Sequence, residues 1–368
     1  MDRQGSKPVT KAGEKLTLSG HLRTSPARRP TMREVAAIAG VSLKTVSRVV
    51  NRETTVDPGL ATRVRSAIEL LGYRRDETAS TLRRSDRVSS SIGLIFEDVS
   101  NPFHSAVYRA VEDIARARGV LAFAGSSDED PERERELALS FCSRRVDGLI
   151  IVPAADDHSY LQAERQSGVP IVFVDRPPSF LDADAVLSEN AVGSEVGVEH
   201  LVAGGHQRIA FLGDTQRIYT ARERLRGYRT ALARAGLHED PALVRLELHD
   251  SESRDRAVDE LLDLAEPPTA MFTSQNLITL AVVRKLRRRG LHRTIAIVGF
   301  DDFVLADSLD PAVTVVSQSP LEIGRRAGEL LFERIDGRRD ASLTTMLPTV
   351  LIQRGSGELP VPRASVTA

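Results

Sequence analysis

The 368-residue chain contains one cysteine, Cys142. A lone cysteine excludes a disulfide framework and any zinc site built on cysteine ligands. No apolar run approaches the ~18–20 residues that cross a bilayer. Residues 1–30, MDRQGSKPVTKAGEKLTLSGHLRTSPARRP, lack the apolar segment of a secretory signal. These gaps together point to the cytoplasm. Catalytic fingerprints are missing as well: there is no Walker loop, G-x-S-x-G elbow, H-E-x-x-H or G-x-G-x-x-G after a strand-like run. Asp301-Asp302 would face opposite sides of an extended chain and make a poor acid/base couple. The sequence therefore nominates no catalytic residue, no metal site and no cofactor.

Net charge is almost absent too, at −1, but it is unevenly spread. Residues 1–87 carry 18 Lys+Arg against 9 Asp+Glu, a net of +9; the remainder carries 32 against 42, a net of −10. A basic head on an acidic body suits a polyanionic partner for the head. A solubilising basic tail is the simpler alternative on charge alone.

What is present falls into regions. Residues 1–30 are polar and basic without helical or strand period, which predicts a disordered arm. Residues 31–76 hold three short helices with explicit punctuation. Thr31-Met32-Arg33-Glu34 is a capping box, followed by Val35, Ile38 and Ala39 on one face and stopped by Gly40. Ser42 caps LKTVSRVVN, with Val46, Val49 and Val50 as the buried stripe. Asp57-Pro58 opens the third helix; Val64, Ile68 and Leu71 point inward and Gly72 ends it. Two helices joined by a glycine turn and backed by a third make a helix-turn-helix module.

From residue 91 to 368, apolar β runs alternate with helical segments. IGLIF, VLAFAG, GLIIVP and PIVFVD form one series, which closes there. RIAFLGD, LVRLEL, AMFTSQ and IAIVGFDD form a second. Continuous apolar strands separated by helices predict an α/β fold with two doubly wound parallel-sheet subdomains. Ligands of such sheets sit beyond the carboxyl ends of the strands, so two facing subdomains would make a cleft.

TMREVAAIAGVSLKTVSRVVN, SNPFHSAV, GHQRIAFLGD, RERLRGY and IVGFDD carry a resemblance over Thr31 to about Gly355. The stretch resembles the lactose-repressor (LacI/GalR) family of bacterial transcription regulators. The resemblance implies a helix-turn-helix head (31–76), a hinge helix and linker (77–90), and a two-lobed core like that of periplasmic sugar-binding proteins (91–368). It also implies a homodimer that binds double-stranded, pseudo-palindromic operator DNA, as a repressor controlled by a small, sugar-like effector.

On that resemblance, Leu43, Lys44 and Arg48 are the base-reading positions of the second helix. Lys44 and Arg48 can donate to guanine in the major groove, and Leu43 can touch a thymine methyl. Thr31, Ser42, Thr45, Ser47, Asn51 and Arg63 suit phosphate contacts. Ala79 and Leu82 fall in the implied hinge helix, where Leu82 would wedge between base pairs of the minor groove. The plainer alternatives are a solvated face for Lys44 and Arg48, and core packing for Leu82. Effector contacts are implied for Asp98, Phe103, His104, Arg176, Arg224, Phe272, Gln275 and Asp301, near strand ends or on the helices that follow. Phe103 and Phe272 could instead be core aromatics, Asp301 a cap and Arg224 one half of an ion pair. Ser274-Gln275-Asn276 stands where the family commonly has Asn-Asp, so amidated, phosphorylated and non-sugar ligands stay open. A sugar-binding protein without a regulatory role is the alternative function, although the basic head has no place in one; an enzyme on the same lobes is a third.

Overall fold

The computed structural model describes residues 30–51, 53, 55–74 and 89–362. The chain divides into two compact units, Met1–Arg87 and Val88–Ala368.

In the first unit, α1 (Met32–Ala39) opens on the Thr31/Glu34 capping box and ends at Gly40, whose φ of 61° closes the turn. The N-terminus of α2 (Leu43–Val50) is capped by the Ser42 hydroxyl, which accepts from the Thr45 amide. Asp57 accepts from the Gly59 and Leu60 amides at the start of α3 (Pro58–Leu71). Val35, Ala36, Ala39, Val46, Val64 and Ala67 form the buried centre, with Val49, Val50, Ile68 and Leu71 packed around it. Ile38 does not join them: it is 50% exposed, and Ala36 takes the inward position.

The second unit consists of two lobes, each with a six-stranded sheet. The N-terminal part of the chain runs through β1 (Ser91–Phe96), α4 (Pro102–Ala117), β2 (Leu121–Ser126), α5 (Pro131–Ser143), β3 (Leu149–Ile151), α6 (Gln162–Gln166), β4 (Ile171–Val174) and β5 (Asp184–Ser188). The chain then passes to α7 (Asn190–Ala203), β6 (Ile209–Leu212), α8 (Tyr219–Arg234), β7 (Val244–Arg245), α9 (Ser251–Leu262), β8 (Ala270–Thr273), α10 (Asn276–Arg288), β9 (Ala296–Phe300) and β10 (Thr314–Ser317). It closes with α11 (Pro320–Ile335), β11 (Thr344–Leu347) and β12 (Val350–Ile352). The first sheet is ordered β11-β5-β4-β3-β1-β2 and the second β12-β10-β9-β8-β6-β7. All pairings are parallel except β10 with β12. β1, β3, β4, β5, β6, β8 and β9 are buried along their whole length, which is why they are near-continuous apolar runs.

The first series does not close at PIVFVD. β5 extends it, and its strand signal is masked by the charged Asp184, which pairs with Arg334 of α11 at 2.7 Å. LVRLEL supplies only the two residues of β7. The chain crosses between lobes three times: from β5 to α7, from β10 to α11, and from β11 to β12. α11 buries Ile323, Ala327 and Leu330 against the first sheet, and α7 buries Val198 and Leu201 against the second. The two lobes are therefore joined by three short strands of chain, an arrangement that permits hinge motion.

Both lobes use the same close helix crossing. A Cβ on Gly324 of α11 would overlap the Val107 carbonyl oxygen of α4, and one on Gly227 of α8 would overlap the Ala191 carbonyl of α7. Backbone cannot yield as a flexible side-chain tip can. Gly324→Ala and Gly227→Ala are each expected to lower unfolding free energy by about 1–3 kcal/mol, read from urea denaturation, whereas Gly337→Ala, in open space at a positive φ, tests backbone strain alone.

Candidate functional site

Four carboxylates converge on the cleft between the lobes, two from each lobe at matching positions. Glu97 follows β1 and Asp214 follows β6; Asp175 follows β4 and Asp301 follows β9. Asp175 and Asp301 both take positive φ, 68° and 71°, which turns the chain sharply as each strand ends. Strain of this kind in a non-glycine residue concentrates at functional sites. The cavity between the lobes is about 60 Å³, smaller than the roughly 300–1,000 Å³ of small-molecule sites, so a sugar-sized ligand requires the lobes to part.

The second lobe satisfies its own acids. Arg224 of α8 donates Nε to Asn190 Oδ1 at 2.8 Å and Nη1 to the Ser274 carbonyl at 2.6 Å, and meets Asp301 Oδ2 at 3.3 Å. Its guanidinium lies 3.9 Å from the Phe300 ring centroid. Gln318 Nε2 donates to the other Asp301 oxygen at 2.7 Å. Burial pushes the Asp301 carboxyl up, against the pull of Arg224. Asp214 accepts from Gln275 Nε2 at 2.6 Å and from the Thr215 amide at 2.7 Å, with His249 Nδ1 at 3.3 Å. Burial works to raise the Asp214 carboxyl, but His249, the Thr215 amide and the charge of Arg254 hold it below its ordinary value.

The first lobe is different. Arg176 is clamped by Glu129, with Nη1–Oε2 at 2.9 Å and Nη2–Oε1 at 2.5 Å, and also donates to the Pro153 carbonyl at 2.6 Å. Glu97 and Asp175 only flank it, each at 3.6 Å. Burial pushes the Glu97 carboxyl up to about 7; the charge of Glu129 adds to the push and Arg176 opposes it. His104 Nδ1 lies 3.0 Å from the Asp98 carbonyl, which can only accept, so Nδ1 carries the proton and Nε2 is left an acceptor. Burial lowers the His104 pKa and keeps the ring neutral. Direct ties between lobes run from Arg217 to the Ala154 and Glu129 carbonyls, at 3.1 Å each, and from Asn276 Nδ2 to Asn101 Oδ1 at 3.2 Å.

Of the residues expected at the cleft, Phe103, His104, Arg176, Arg224, Gln275 and Asp301 line it. Two do not. The Asp98 carboxylate folds back on the Ser100 amide and hydroxyl, at 2.8 and 2.7 Å, closing a turn, and the neighbouring Glu97 lines the cleft. Phe272 is fully buried, stacked on Phe211 with centroids 6.1 Å apart under α7, so it is a core aromatic. Glu97, Asp175, Asp214 and Gln318 were not among the expected residues. The signal for the acids was the recurrence of a carboxylate within two residues after an apolar strand, at matched places in the two series.

On α2, positions 43, 44, 47, 48 and 51 share one face at helical spacing. Leu43, Lys44 and Asn51 are exposed there; Thr45 and Ser47 are half-buried. Ser42 and Thr31 are engaged as caps. Arg48 Nε donates to Glu53 at 2.9 Å, so reading a base requires breaking that exposed pair. Arg63 Nη2 donates to the Ala39 and Gly40 carbonyls at 2.6 and 3.2 Å, a cation placed on the C-terminus of α1. Residues 1–29 of the arm, and Ala79 and Leu82 of the expected hinge, lie outside the described residues.

Comparison with known proteins follows this division. Residues 31–76 match the model of bacterial regulatory proteins of the lacI family, and residues 198–357 match a periplasmic binding protein-like domain. The HTH-type transcriptional regulator CelR of Thermobifida fusca is 34% identical over 342 residues, covering 90% of this chain and 99% of that protein. A solved complex of the transcriptional regulator CelR with cellobiose is 31% identical, covers 89% of this chain and all of that one, and superposes with a TM-score of 0.65. The Lac repressor dimer bound to operator and the anti-inducer ONPF is 26% identical over 90% of this chain and 99% of that one, with a TM-score of 0.77.

The Glu97 environment predicts a pH effect. Its folded pKa is raised, so the folded state holds the proton longer than the unfolded chain, and stability falls as pH rises from about 4.5 to 7. Glu97→Gln removes that loss. Relative to the parent, the variant is expected to gain about 1–3 kcal/mol at about pH 8 and far less at about pH 5, measured by denaturant titration at both values. A difference that does not change with pH would contradict the assigned burial of this carboxyl.

Proposed function

This chain belongs to the lacI family of bacterial regulatory proteins, and we propose that the cleft between its lobes is an effector site that sets the affinity of its head for operator DNA. The carrying observation is the convergence of Arg224, Asp301 and Gln275 from one lobe with Arg176, His104 and Phe103 from the other on a single cleft. A ligand bridging them favours one lobe arrangement over another, and only that differential affinity can move the equilibrium. The three crossings let the lobes rotate as bodies; rotation changes the spacing of the two hinge segments in a dimer and so the fit to two half-sites.

A sugar suits the site. Phe103 offers an apolar face, and carboxylates, amides and Arg224 offer paired polar contacts for hydroxyls. The domain organisation we propose is a basic arm (1–30), a head (31–76), a hinge (77–90) and a two-lobed core (91–368). Leu43, Lys44 and Arg48 read bases; Ser42, Thr45, Ser47 and Asn51 contact phosphates. Ala79 and Leu82 act from the hinge in the minor groove.

The partner copy is proposed to cover β2, the edge strand of the first sheet. Leu121 and Phe123 stand on its outer face at 61% and 48% exposure. Uncovered apolar edges of this kind mark association surfaces.

Genomic footprinting with purified protein tests the function: recovered sites should be pseudo-palindromic, with half-sites about one helical turn apart or a multiple of it. Sites without internal symmetry would sink the dimeric reading. On a recovered site, Leu82→Ala is expected to cost about tenfold or more in affinity, while affinity for random DNA changes little. Equal losses on both DNAs in a gel-shift titration would remove Leu82 from the wedge role.

A further inference from the structure

The two lobes present matched acids to the cleft, but they partner them unequally, and the imbalance defines the ligand. Each cleft arginine already has a carboxylate of its own: Glu129 grips Arg176 through two hydrogen bonds, and Asp301 faces Arg224. Glu97 and Asp175 are left over. Among the described residues, neither carboxylate accepts a hydrogen bond; both merely flank Arg176, already gripped by Glu129, at 3.6 Å. Asp175 is 6% exposed, so its unpartnered carboxylate is deeply set and lines the cleft. Gln318 Oε1, also buried, has no hydrogen-bond partner, and His104 Nε2 is an acceptor. Open donors are fewer, namely Arg224 Nη2, Arg176 Nε and the Ser274 hydroxyl, and carry no spare charge. Arg224 Nη2 makes no hydrogen bond, but its cation is matched by Asp301; Arg176 Nε has Asp175 beside it.

Resting on the effector-site reading above, we infer that the cleft takes an uncharged or amine-bearing polyol and rejects the phosphate ester of the same polyol. Hydroxyl and ammonium hydrogens satisfy Glu97, Asp175, Gln318 and His104, and buried acceptors gain most from a donor. A hydroxyl oxygen can take the free Arg224 Nη2. A phosphate dianion finds no cation without a partner and meets Asp175 and Asp214 within the same walls, joined by Glu97 as it ionises, where like charges are poorly screened. The same acids favour an amine over a hydroxyl at the Glu97–Asp175 end.

The test is calorimetric titration of the full-length protein with matched pairs: D-ribose, D-glucose and D-glucosamine, against ribose 5-phosphate, glucose 6-phosphate and glucosamine 6-phosphate. The expected result is that a polyol binds and its ester binds about a hundredfold more weakly. Asp175→Asn and Glu97→Gln, both close in shape to the parent side chains, should each weaken the polyol by about tenfold and narrow the gap to the ester. An ester that binds as tightly as its parent, or more tightly, overturns the inference and leaves the effector site standing. Polyol binding that neither variant alters overturns the assignment to these two carboxylates. Failure of every member of every pair to bind counts against the effector reading itself.

Discussion

The triple crossing between lobes is the constraint on which the rest of the second unit depends. Because α7 leaves β5 to cover the second sheet, and α11 leaves β10 to cover the first, neither lobe is built from a continuous stretch of chain. β11 and β12 then split the C-terminal segment between the two sheets. Parallel sheets place all their functional loops at one end, and the crossings hold the two loop ends opposite each other. The cleft is a consequence of the topology.

Within that frame, buried charge is arranged by necessity. Removing Arg224 would leave Asp301 without a cation, and uncompensated buried charge is costly; removing Glu129 would leave Arg176 only the looser flanking Glu97 and Asp175 at 3.6 Å. Each arginine therefore serves its own lobe first. Arg224 ties the start of α7, the loop after β8 and the end of β9 to one guanidinium. Arg176 ties Glu129, ahead of α5, to the loop after β3. A ligand entering the cleft meets walls that are already ordered, and preorganisation of this kind lowers the entropic cost of binding.

Much of this was legible in the sequence, and the failures have physical causes. Capping residues name helix ends directly, so Thr31, Gly40, Ser42, Asp57 and Gly72 marked the head closely. Apolar runs marked the strands buried on both faces. β5 escaped because Asp184 breaks its apolar run, and the reason Asp184 is tolerated, an arginine at position 334, is 150 residues away. Phe272 was misplaced because proximity to a strand end says nothing about which face a side chain takes. Glu97 was passed over for Asp98 because only the turn to Ser100 decides which of two adjacent acids points inward. The bonds of Arg63 to two carbonyls at the end of α1 have no signature in side-chain sequence. Local rules located the elements; contacts across long sequence separations decided which side chains meet.

The central claim is that lobe arrangement carries the signal from cleft to DNA. Asn101 and Asn276, joined across the cleft mouth at 3.2 Å, are the place to test it. An Asn101→Cys/Asn276→Cys variant in a Cys142→Ser background, bridged by a short thiol-reactive linker, holds the lobes together. Operator affinity of the bridged protein should be fixed at one value and no longer respond to the polyol that shifts the parent protein, with the response restored when the bridge is left open. A bridged protein whose operator affinity still shifts by the parent's full amount on adding that polyol would contradict the claim.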